Sequence, residues 1–228
     1  MQPTMQFVPP KALNSRIFRL CTVQDSVLSI IVLRQSVKPG GLLLDRGITI
    51  GAAASRVRRA VPLILEDAEN GLSVRMRRTI AELYDLFNDL GRRINFFDKE
   101  IDAVFRQSET CQRIDKVKGI GPKIATAVVA AIGKGTEFKN GRHFAAWLGL
   151  VPRQHSSGDK HLRTLFIHGA RTVVRVATNN NDGGLHQWVN QLKERRGFNK
   201  TTVAVANKNA RIIWSMLRND SEYQAVES

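Results

Sequence analysis

The stretch Lys116-Val-Lys-Gly-Ile-Gly-Pro-Lys-Ile-Ala-Thr-Ala-Val-Val-Ala-Ala-Ile132 decides the fold of the second half of this sequence. It is typical of a helix end, a glycine turn and a helix start. Gly119 and Gly121 can take the positive φ that a tight interhelical turn needs. Pro122 fits the first turn of a helix, where a missing N–H costs nothing. The pattern therefore predicts two short helices joined by a hairpin.

The same stretch predicts a binding site for phosphate. Backbone amides at a helix N-terminus point outward, and the helix dipole favours an anion there. Three lysines surround these amides. This is the helix-hairpin-helix signature, and the anion that suits it is a nucleic-acid phosphate. The alternative is a plain turn with surface lysines, but glycine spacing, proline and lysines coincide. We therefore predict DNA binding by Lys116, Lys118, Gly119, Gly121 and Lys123.

The net charge of the chain supports the same nucleic-acid partner. The chain has 228 residues, enough for one large domain or two modest ones, with a net charge of +15 and a pI of about 10.6. Residues 112–228 carry 19 Lys and Arg against 8 Asp and Glu, a net of +11, whereas residues 1–111 carry 16 against 12, a net of +4. Such a basic balance indicates an acidic partner, usually nucleic acid.

Composition also argues against several classes of protein. The two cysteines, Cys21 and Cys111, have no metal-site spacing and form no disulfide framework, so a reducing cytoplasm is the expected location. The apolar run at 27–33 is too short to span a membrane, and no membrane partner is expected. No array of aspartates and glutamates resembles a two-metal nuclease site.

Residues 74–111 form the clearest regular element. Their apolar residues alternate spacings of four and three, which is a heptad seam, and Ser73 is a plausible N-cap. Such a helix would be roughly 50–55 Å long. The seam must pack against something, either earlier helices of this chain (42–50 and 57–65) or a second copy, and the sequence leaves a bundle and a dimerising coiled coil both open. Its members are Met76, Ile80, Leu83, Phe87, Leu90, Ile94, Phe97, Ile101 and Val104.

Helical patterns continue after the hairpin, at 144–150, 162–178, 185–196 and 199–217. Val203 is among the apolar residues expected to face inward. The predicted fold is mainly α, a long coiled-coil helix followed by a compact helical domain that contains the helix-hairpin-helix. We expect a poorly patterned segment at 1–40, a helical, coiled-coil region at 41–111 and a C-terminal domain at 112–228.

The loop Pro152-Arg-Gln-His-Ser-Ser-Gly158 is the candidate for catalysis. A serine beside a glycine lies in an approachable turn, and nearby cations would hold a phosphodiester and stabilise transition-state charge. A serine hydroxyl needs a base or a strong field before it attacks. An ordinary polar loop is the alternative reading. The cations that could reach this loop are Arg153, Lys160, Arg163 and Arg171.

Several blocks of the sequence together resemble a known family. They include the hairpin glycines, Phe-Lys-Asn-Gly-Arg142, Ala-Ala-Trp-Leu-Gly-Leu-Val-Pro-Arg-Gln-His-Ser-Ser-Gly158 and Leu-Arg-Thr-Leu-Phe-Ile-His-Gly-Ala-Arg171. The chain is similar over roughly residues 41–220 to the insertion-sequence transposases of the family called one-ten. These are bacterial relatives of the Piv DNA invertase, and the similarity is greatest to the eleven-eleven branch.

The resemblance implies an architecture and partners. Family members carry an N-terminal RuvC-like domain with a DEDD carboxylate set for magnesium, then a coiled coil, then a C-terminal domain with a nucleophilic serine. They act on DNA as dimers or tetramers and use a guiding RNA. The serine before the glycine corresponds to Ser157, with Ser156 the second choice. The heptad seam corresponds to the coiled coil, and a nucleoid-associated location is expected.

Two departures from the family pattern shape the expected activity. Residues 1–40 supply no opening aspartate strand of a RuvC-like domain, and residues 158–163 replace a longer basic stretch. We therefore expect a truncated transposase, inactive alone, that binds DNA and holds no metal or other cofactor. Magnesium would enter only with the missing domain. The alternative function is a stand-alone helix-hairpin-helix protein of repair or recombination.

Overall fold

The computed structural model describes residues 43–44, 47–50, 53–151, 158–179 and 184–224. These residues form two compact units, divided between residues 100 and 101. The described ranges contain helices and no strand, so the prediction of a mainly α fold with one long helix is confirmed. The helices are α1 (Ala54–Glu66), α2 (Val74–Gln107), α3 (Glu109–Asp115), α4 (Pro122–Ile132), α5 (Gly141–Trp147), α6 (Lys160–Asn179), α7 (Gly184–Arg196) and α8 (Phe198–Asn219).

In the unit that ends at residue 100, one side of the heptad seam packs against the same chain. Ile80 and Phe87 are fully buried, and they share a cluster with Val57 and Val61 of α1. The bundle alternative therefore describes this side of the seam. Residues 48–50 are not helical, so the helix expected at 42–50 does not continue through them. Leu43, Leu72 and Leu90 complete the cluster.

A hydrogen bond joins the middle of α1 to α2, at a carbonyl that a proline leaves free. Pro62 lies inside α1 and has no N–H to donate to the carbonyl four residues earlier. That carbonyl belongs to Arg58, and the Tyr84 hydroxyl of α2 donates to it at 3.2 Å. The hydrogen bond missing within α1 is thus replaced by one between helices.

The end of α1 is capped by a charged side chain of α2. The Arg77 guanidinium donates to the carbonyl oxygens of Ile64 at 3.3 Å and Leu65 at 2.9 Å, and to Asn70 Oδ1 at 2.7 Å. A cation at a helix C-terminus also complements the helix dipole. At the start of α2, Ser73 Oγ accepts from the Met76 N–H at 3.3 Å, which confirms the predicted N-cap.

The long helix ends earlier than the sequence predicts. At Ser108 the backbone is extended, with φ −107° and ψ 105°, and the Ser108 Oγ accepts from the Cys111 N–H at 3.3 Å. Ser108 therefore caps a separate short helix, α3. The expectation of one regular element over 74–111 is wrong at this residue, because a serine can satisfy the first amides of a new helix.

In the unit that begins at residue 101, α8 is the central helix. It packs against α3, α5, α6 and α7. Aromatic rings fill the space beside α5, where the Phe144 ring centroid lies 5.1 Å from that of Phe138 and 6.3 Å from that of Phe166. Phe144 and Phe166 are almost fully buried. These contacts fix the positions of the helices that surround the hairpin.

Val203 of α8, predicted to face inward, is exposed. It keeps 36 % of its surface in solvent, whereas Thr202 and Val205 beside it are buried. Consecutive residues of a helix point about 100° apart, and the buried face of α8 runs through Thr202, Val205 and Ala206, which leaves Val203 at its flank. Val176 of α6 likewise keeps 44 % of its surface in solvent.

Cys111 is the first buried residue of α3. Its side chain is 2 % exposed, and burial raises the pKa of its thiol.

Within the described residues, no helix is both long and apolar enough to cross a membrane.

Candidate nucleic-acid interface

The hairpin of α3, residues 116–121 and α4 is anchored by two buried side chains in its turn. Val117 and Ile120 are almost fully buried. The Ile120 N–H donates to the Val117 carbonyl at 2.9 Å, which closes a tight turn around Lys118 and Gly119. The anchors point into the core, so the residues between them are presented at the surface.

Gly119 has the backbone that the sequence predicts. Its φ is +87°, a conformation that favours glycine. A Cβ on Gly119 would lie 2.5 Å from Val173 Cγ2, and a Cβ on Gly169 of α6 would lie 2.0 Å from the Gly119 carbonyl oxygen. The two glycines therefore let the hairpin backbone rest directly on α6.

Gly121 differs from the prediction. Its φ is −100° and its ψ is 178°, which is extended backbone that any residue can adopt. It caps α4, where Pro122 takes the first position, as predicted. A Cβ at Gly121 would meet no atom within 4 Å. The positive φ of the turn is supplied by Gly119 because only that residue also touches α6.

The polar backbone of the turn is partly engaged and partly free. The buried Asn209 side chain of α8 donates to the Lys118 carbonyl at 2.9 Å. In the part of the chain that the structure describes, the N–H groups of Gly119 and Gly121 donate to no protein group. Two backbone donors are thus available next to the N-terminus of α4, where an anion is favoured.

The three predicted lysines differ in their surroundings. The Lys116 ammonium forms a salt bridge with Glu222 at 2.6 Å, so it is already paired. Lys118 is exposed, and its Nζ lies 3.5 Å from Nε2 of the buried His186. Lys123 is half-buried in the first turn of α4. Lys118 is therefore the cation of the turn best presented to a ligand.

A second acidic contact joins the hairpin to the end of α8. Arg113 of α3 pairs with the Asp220 carboxylate and donates to the Asp220 carbonyl at 3.0 Å. The hydrogen bond from Arg113, and then its charge, lower the pKa of Asp220. Asp220 has a left-handed backbone, with φ 53°. The hairpin is thus connected to α8 at both Lys118 and Arg113.

Three further predicted cations lie on α6. Lys160, Arg163 and Arg171 are all exposed. Gly169, however, faces the hairpin, and a residue two positions on in a helix points roughly 160° away. Arg171 therefore points away from the hairpin. The structure thus separates Arg171 from the lysines of the glycine turn.

The predicted serine, Ser157, its second choice, Ser156, and the neighbouring cation Arg153 lie outside the described residues. Hydrogen bonds fix the residues on both sides of this segment. The Asn207 side chain donates to the Leu150 carbonyl at 3.2 Å. Asp159 Oδ1 accepts from the His161 and Leu162 N–H groups at 2.9 and 3.1 Å and so caps α6.

Sequence reasoning missed a groove formed by α5, α7 and α8. Its volume is about 840 Å³. Two tryptophans and three cations line it, and it contains no acidic side chain. The signal in the sequence was weak, because these residues are spread over three helices. They are Arg142, Trp188, Lys208, Arg211 and Trp214, with Asn140 and Asn207 beside them.

No metal site can be built from the described residues, since nowhere in those ranges do three His, Cys, Asp or Glu side chains come together.

Comparison with known proteins identifies the class. A family model described as "Transposase IS116/IS110/IS902 family" matches residues 111–182, which include the hairpin and the serine segment. The chain is 36 % identical to a transposase for insertion sequence element IS1111A of Coxiella burnetii, over 97 % of this chain and 64 % of that protein. It is 37 % identical to a probable family 20 transposase of Pseudomonas aeruginosa, over 98 % of this chain and 70 % of that protein.

A third relative extends the same class. The transposase for insertion sequence element IS1328 of Yersinia enterocolitica is 29 % identical over 93 % of this chain and 66 % of that protein. The relatives are thus transposases of insertion sequences. The chain belongs to the IS116/IS110/IS902 transposase family, and it spans about two thirds of the length of these curated relatives. The alternative of a stand-alone repair or recombination protein gains no support.

Proposed function

We propose that this chain binds duplex DNA through its glycine hairpin and serves the transposition of an insertion sequence. The observation that carries the proposal is the turn at Gly119, where two free backbone donors lie beside Lys118 and the N-terminus of α4. Such a turn contacts phosphates and leaves the bases unread, so affinity comes from the backbone and not from sequence.

The proposed nucleophile for strand transfer is Ser157, with Ser156 as the second choice. Its Oγ would form a bond to the phosphorus of a phosphodiester, the bond from phosphorus to one ester oxygen would break, and that oxygen would take up a proton. Arg153, Lys160 and Arg163 would neutralise charge on the phosphate. A covalent adduct with labelled DNA on a denaturing gel, lost in Ser157→Ala, would assign this role.

Other partners are proposed from the resemblance. We propose self-association along α2, a guide RNA as a second nucleic-acid partner, and a cytoplasmic location at the nucleoid. The net charge of +11 on residues 112–228 supports a nucleic-acid partner in general.

The test of duplex binding compares two double variants at several salt concentrations. Lys118→Ala with Lys123→Ala removes cations at the hairpin, whereas Lys134→Ala with Lys139→Ala removes the same charge from exposed positions outside it. The hairpin variant should bind all duplexes about tenfold more weakly and lose roughly two units of the salt slope. An equal loss in both variants, or a loss confined to one DNA sequence, would contradict the proposal.

A further inference from the structure

The groove between α5, α7 and α8 is a surface that duplex binding at the hairpin does not use. On α8, Asn209 contacts the hairpin, whereas Lys208 and Arg211 line the groove. In a helix, Arg211 points roughly 160° away from Asn209. The groove and the hairpin therefore lie on opposite sides of α8, and a ligand in one does not contact the other.

The charge of the groove selects an anion. Arg142, Lys208 and Arg211 are exposed at its edge, and no aspartate or glutamate lines it. Lys208 is also held in place, since its Nζ lies 4.6 Å from the centre of the Trp188 ring. A cation fixed in this way loses little freedom when it meets a phosphate.

The floor of the groove suits a planar apolar group. Trp188 and Trp214 are both half-buried, and their rings line the groove. The orientation of Trp214 is fixed, because its indole N–H donates to the Gly135 carbonyl at 3.0 Å. Aromatic side chains beside a basic edge are the usual platform for unpaired bases.

Two amide side chains complete the groove. Asn140 uses its Oδ1 to accept from the His143 N–H at 2.9 Å, and Asn207 uses its Nδ2 to donate to the Leu150 carbonyl at 3.2 Å. Within the described ranges this leaves one donor, Asn140 Nδ2, and one acceptor, Asn207 Oδ1, without protein partners. A donor and an acceptor are what the edge of a base requires.

The tryptophan rings suit an unpaired base better than a paired one. Trp188 and Trp214 are half-buried side chains of the groove. Bases stacked inside a duplex present only their edges, whereas unpaired bases can be splayed out and laid against an aromatic ring.

We propose that this groove binds an unpaired nucleotide of a single-stranded nucleic acid. The base lies against Trp188 and Trp214, and the adjacent phosphates contact Arg142, Lys208 and Arg211. The proposal rests on the proposed nucleic-acid function but adds a second surface to it. The shared chemistry is a base with its phosphate, and the strand can be DNA or RNA.

The first experiment measures binding of fluorescent dT12, U12 and a duplex of twelve base pairs to the full chain. Lys208→Ala with Arg211→Ala should weaken binding of a single strand about tenfold and leave duplex affinity within about twofold. The matched control is Lys200→Ala with Arg218→Ala, which removes the same charge from exposed positions elsewhere on α8. The two oligonucleotides distinguish DNA from RNA as the source of the unpaired nucleotide.

The outcomes separate this proposal from duplex binding at the hairpin. Loss of single-strand binding in the groove variant alone supports it, even if the hairpin variant proves to bind duplex normally. Equal losses in the groove variant and its control, or parallel losses of duplex and single strand, overturn it. Failure of both oligonucleotides to bind the unaltered chain also overturns it.

A second measurement does not depend on any variant folding. An oligonucleotide that carries 5-iodouracil is irradiated in complex with the unaltered chain, and the crosslinked peptides are identified by mass spectrometry. Crosslinks at Trp188 or Trp214 support a base in the groove. Crosslinks found only at the hairpin or on α6 overturn the assignment.

Discussion

Gly169 is the residue that fixes the hairpin on the protein. A methyl group at this position would lie 2.0 Å from the carbonyl oxygen of Gly119, which is backbone and cannot rotate away. Alanine in a helix interior gains about 1 kcal/mol over glycine. Inserting a methyl group into a closed contact costs about 1–3 kcal/mol. The clash therefore prevails over the gain in helix propensity.

Gly169→Ala should accordingly lower the free energy of unfolding by up to about 2 kcal/mol and weaken duplex binding, because the hairpin must move away from α6. Urea denaturation and a binding titration measure the two effects. For stability alone, Gly121→Ala is the matched control, since a Cβ there meets no atom within 4 Å and φ is −100°. A Gly169 variant as stable as the Gly121 variant would show that the contact is not tight.

The glycines show what could be read from the sequence. Gly119 was identified because its spacing before Pro122 is a local pattern. Gly121 has the same spacing, but its role differs because it does not touch another helix. Gly169 could not be recognised, since its need for a small side chain comes from a residue fifty positions away in the chain. Local patterns identify the turn, and tertiary contacts decide which glycine it requires.

Among the helices, the contact between α3 and the end of α8 depends on pH. Arg113 lowers the pKa of Asp220, so the folded protein holds this carboxylate ionised more strongly than the unfolded chain does. A group of this kind stabilises the fold above its unfolded pKa, near 3.8, and the contribution is lost as the pH falls through the lower folded value.

Asp220→Asn should therefore be less stable than the unaltered chain by a constant amount between about pH 5 and pH 7, and the difference should shrink below about pH 4. Asparagine is a suitable replacement because it tolerates the left-handed backbone of this residue. Thermal unfolding across this pH range gives the comparison. A difference that stays constant down to pH 2 would mean that the ion pair is not its cause.

Most helices could be predicted, and their boundaries less well. Apolar periodicity gave α2, α6, α7 and α8 because each has one buried face. The break at Ser108 was missed, since the apolar seam stops at Val104 without marking a helix end and only the cap reveals the end of α2. Nothing in the local pattern predicts the role of Arg77. Its hydrogen bonds to the last carbonyls of α1 depend on how α1 returns toward α2.

For the whole molecule, the question is whether α2 brings two copies together. The side of the seam at Ile80 and Phe87 is buried within the chain, but Leu86 keeps 43 % of its surface exposed. Phe97, eleven residues later, points within roughly 20° of it and is half-buried. This apolar edge supports self-association, since exposed apolar stripes commonly mark contacts between proteins.

Leu86→Glu should convert an oligomer into a monomer in sedimentation velocity at micromolar concentration while the helical circular dichroism is unchanged. Val74→Glu is the control, since Val74 is 86 % exposed at the start of the same helix. Leu90→Asp is a poorer test because Leu90 is buried in the cluster with α1 and its loss should unfold the protein. A clean monomer for the unaltered chain would contradict the prediction.

The hairpin and the groove differ in how well the sequence predicts them. The hairpin is one continuous segment, so its glycines, proline and lysines appear together and could be predicted. The groove gathers Arg142, Trp188 and Lys208 from three helices, and nothing in their spacing relates them. Arg171 shares a charge with the hairpin lysines, but helix geometry turns it away. Charge predicts the kind of partner, whereas packing decides which cations act together.

The rate at which the hairpin opens can be measured from the reactivity of the buried Cys111 thiol. A thiol-specific reagent reacts with the thiolate, and burial both hides this sulfur and raises its pKa. In a Cys21→Ser variant, labelling of Cys111 should occur only when α3 opens, much more slowly than for a free thiol. If the hairpin binds duplex DNA, saturating duplex should slow this reaction further. Labelling as fast as that of a free thiol would show that α3 is open most of the time.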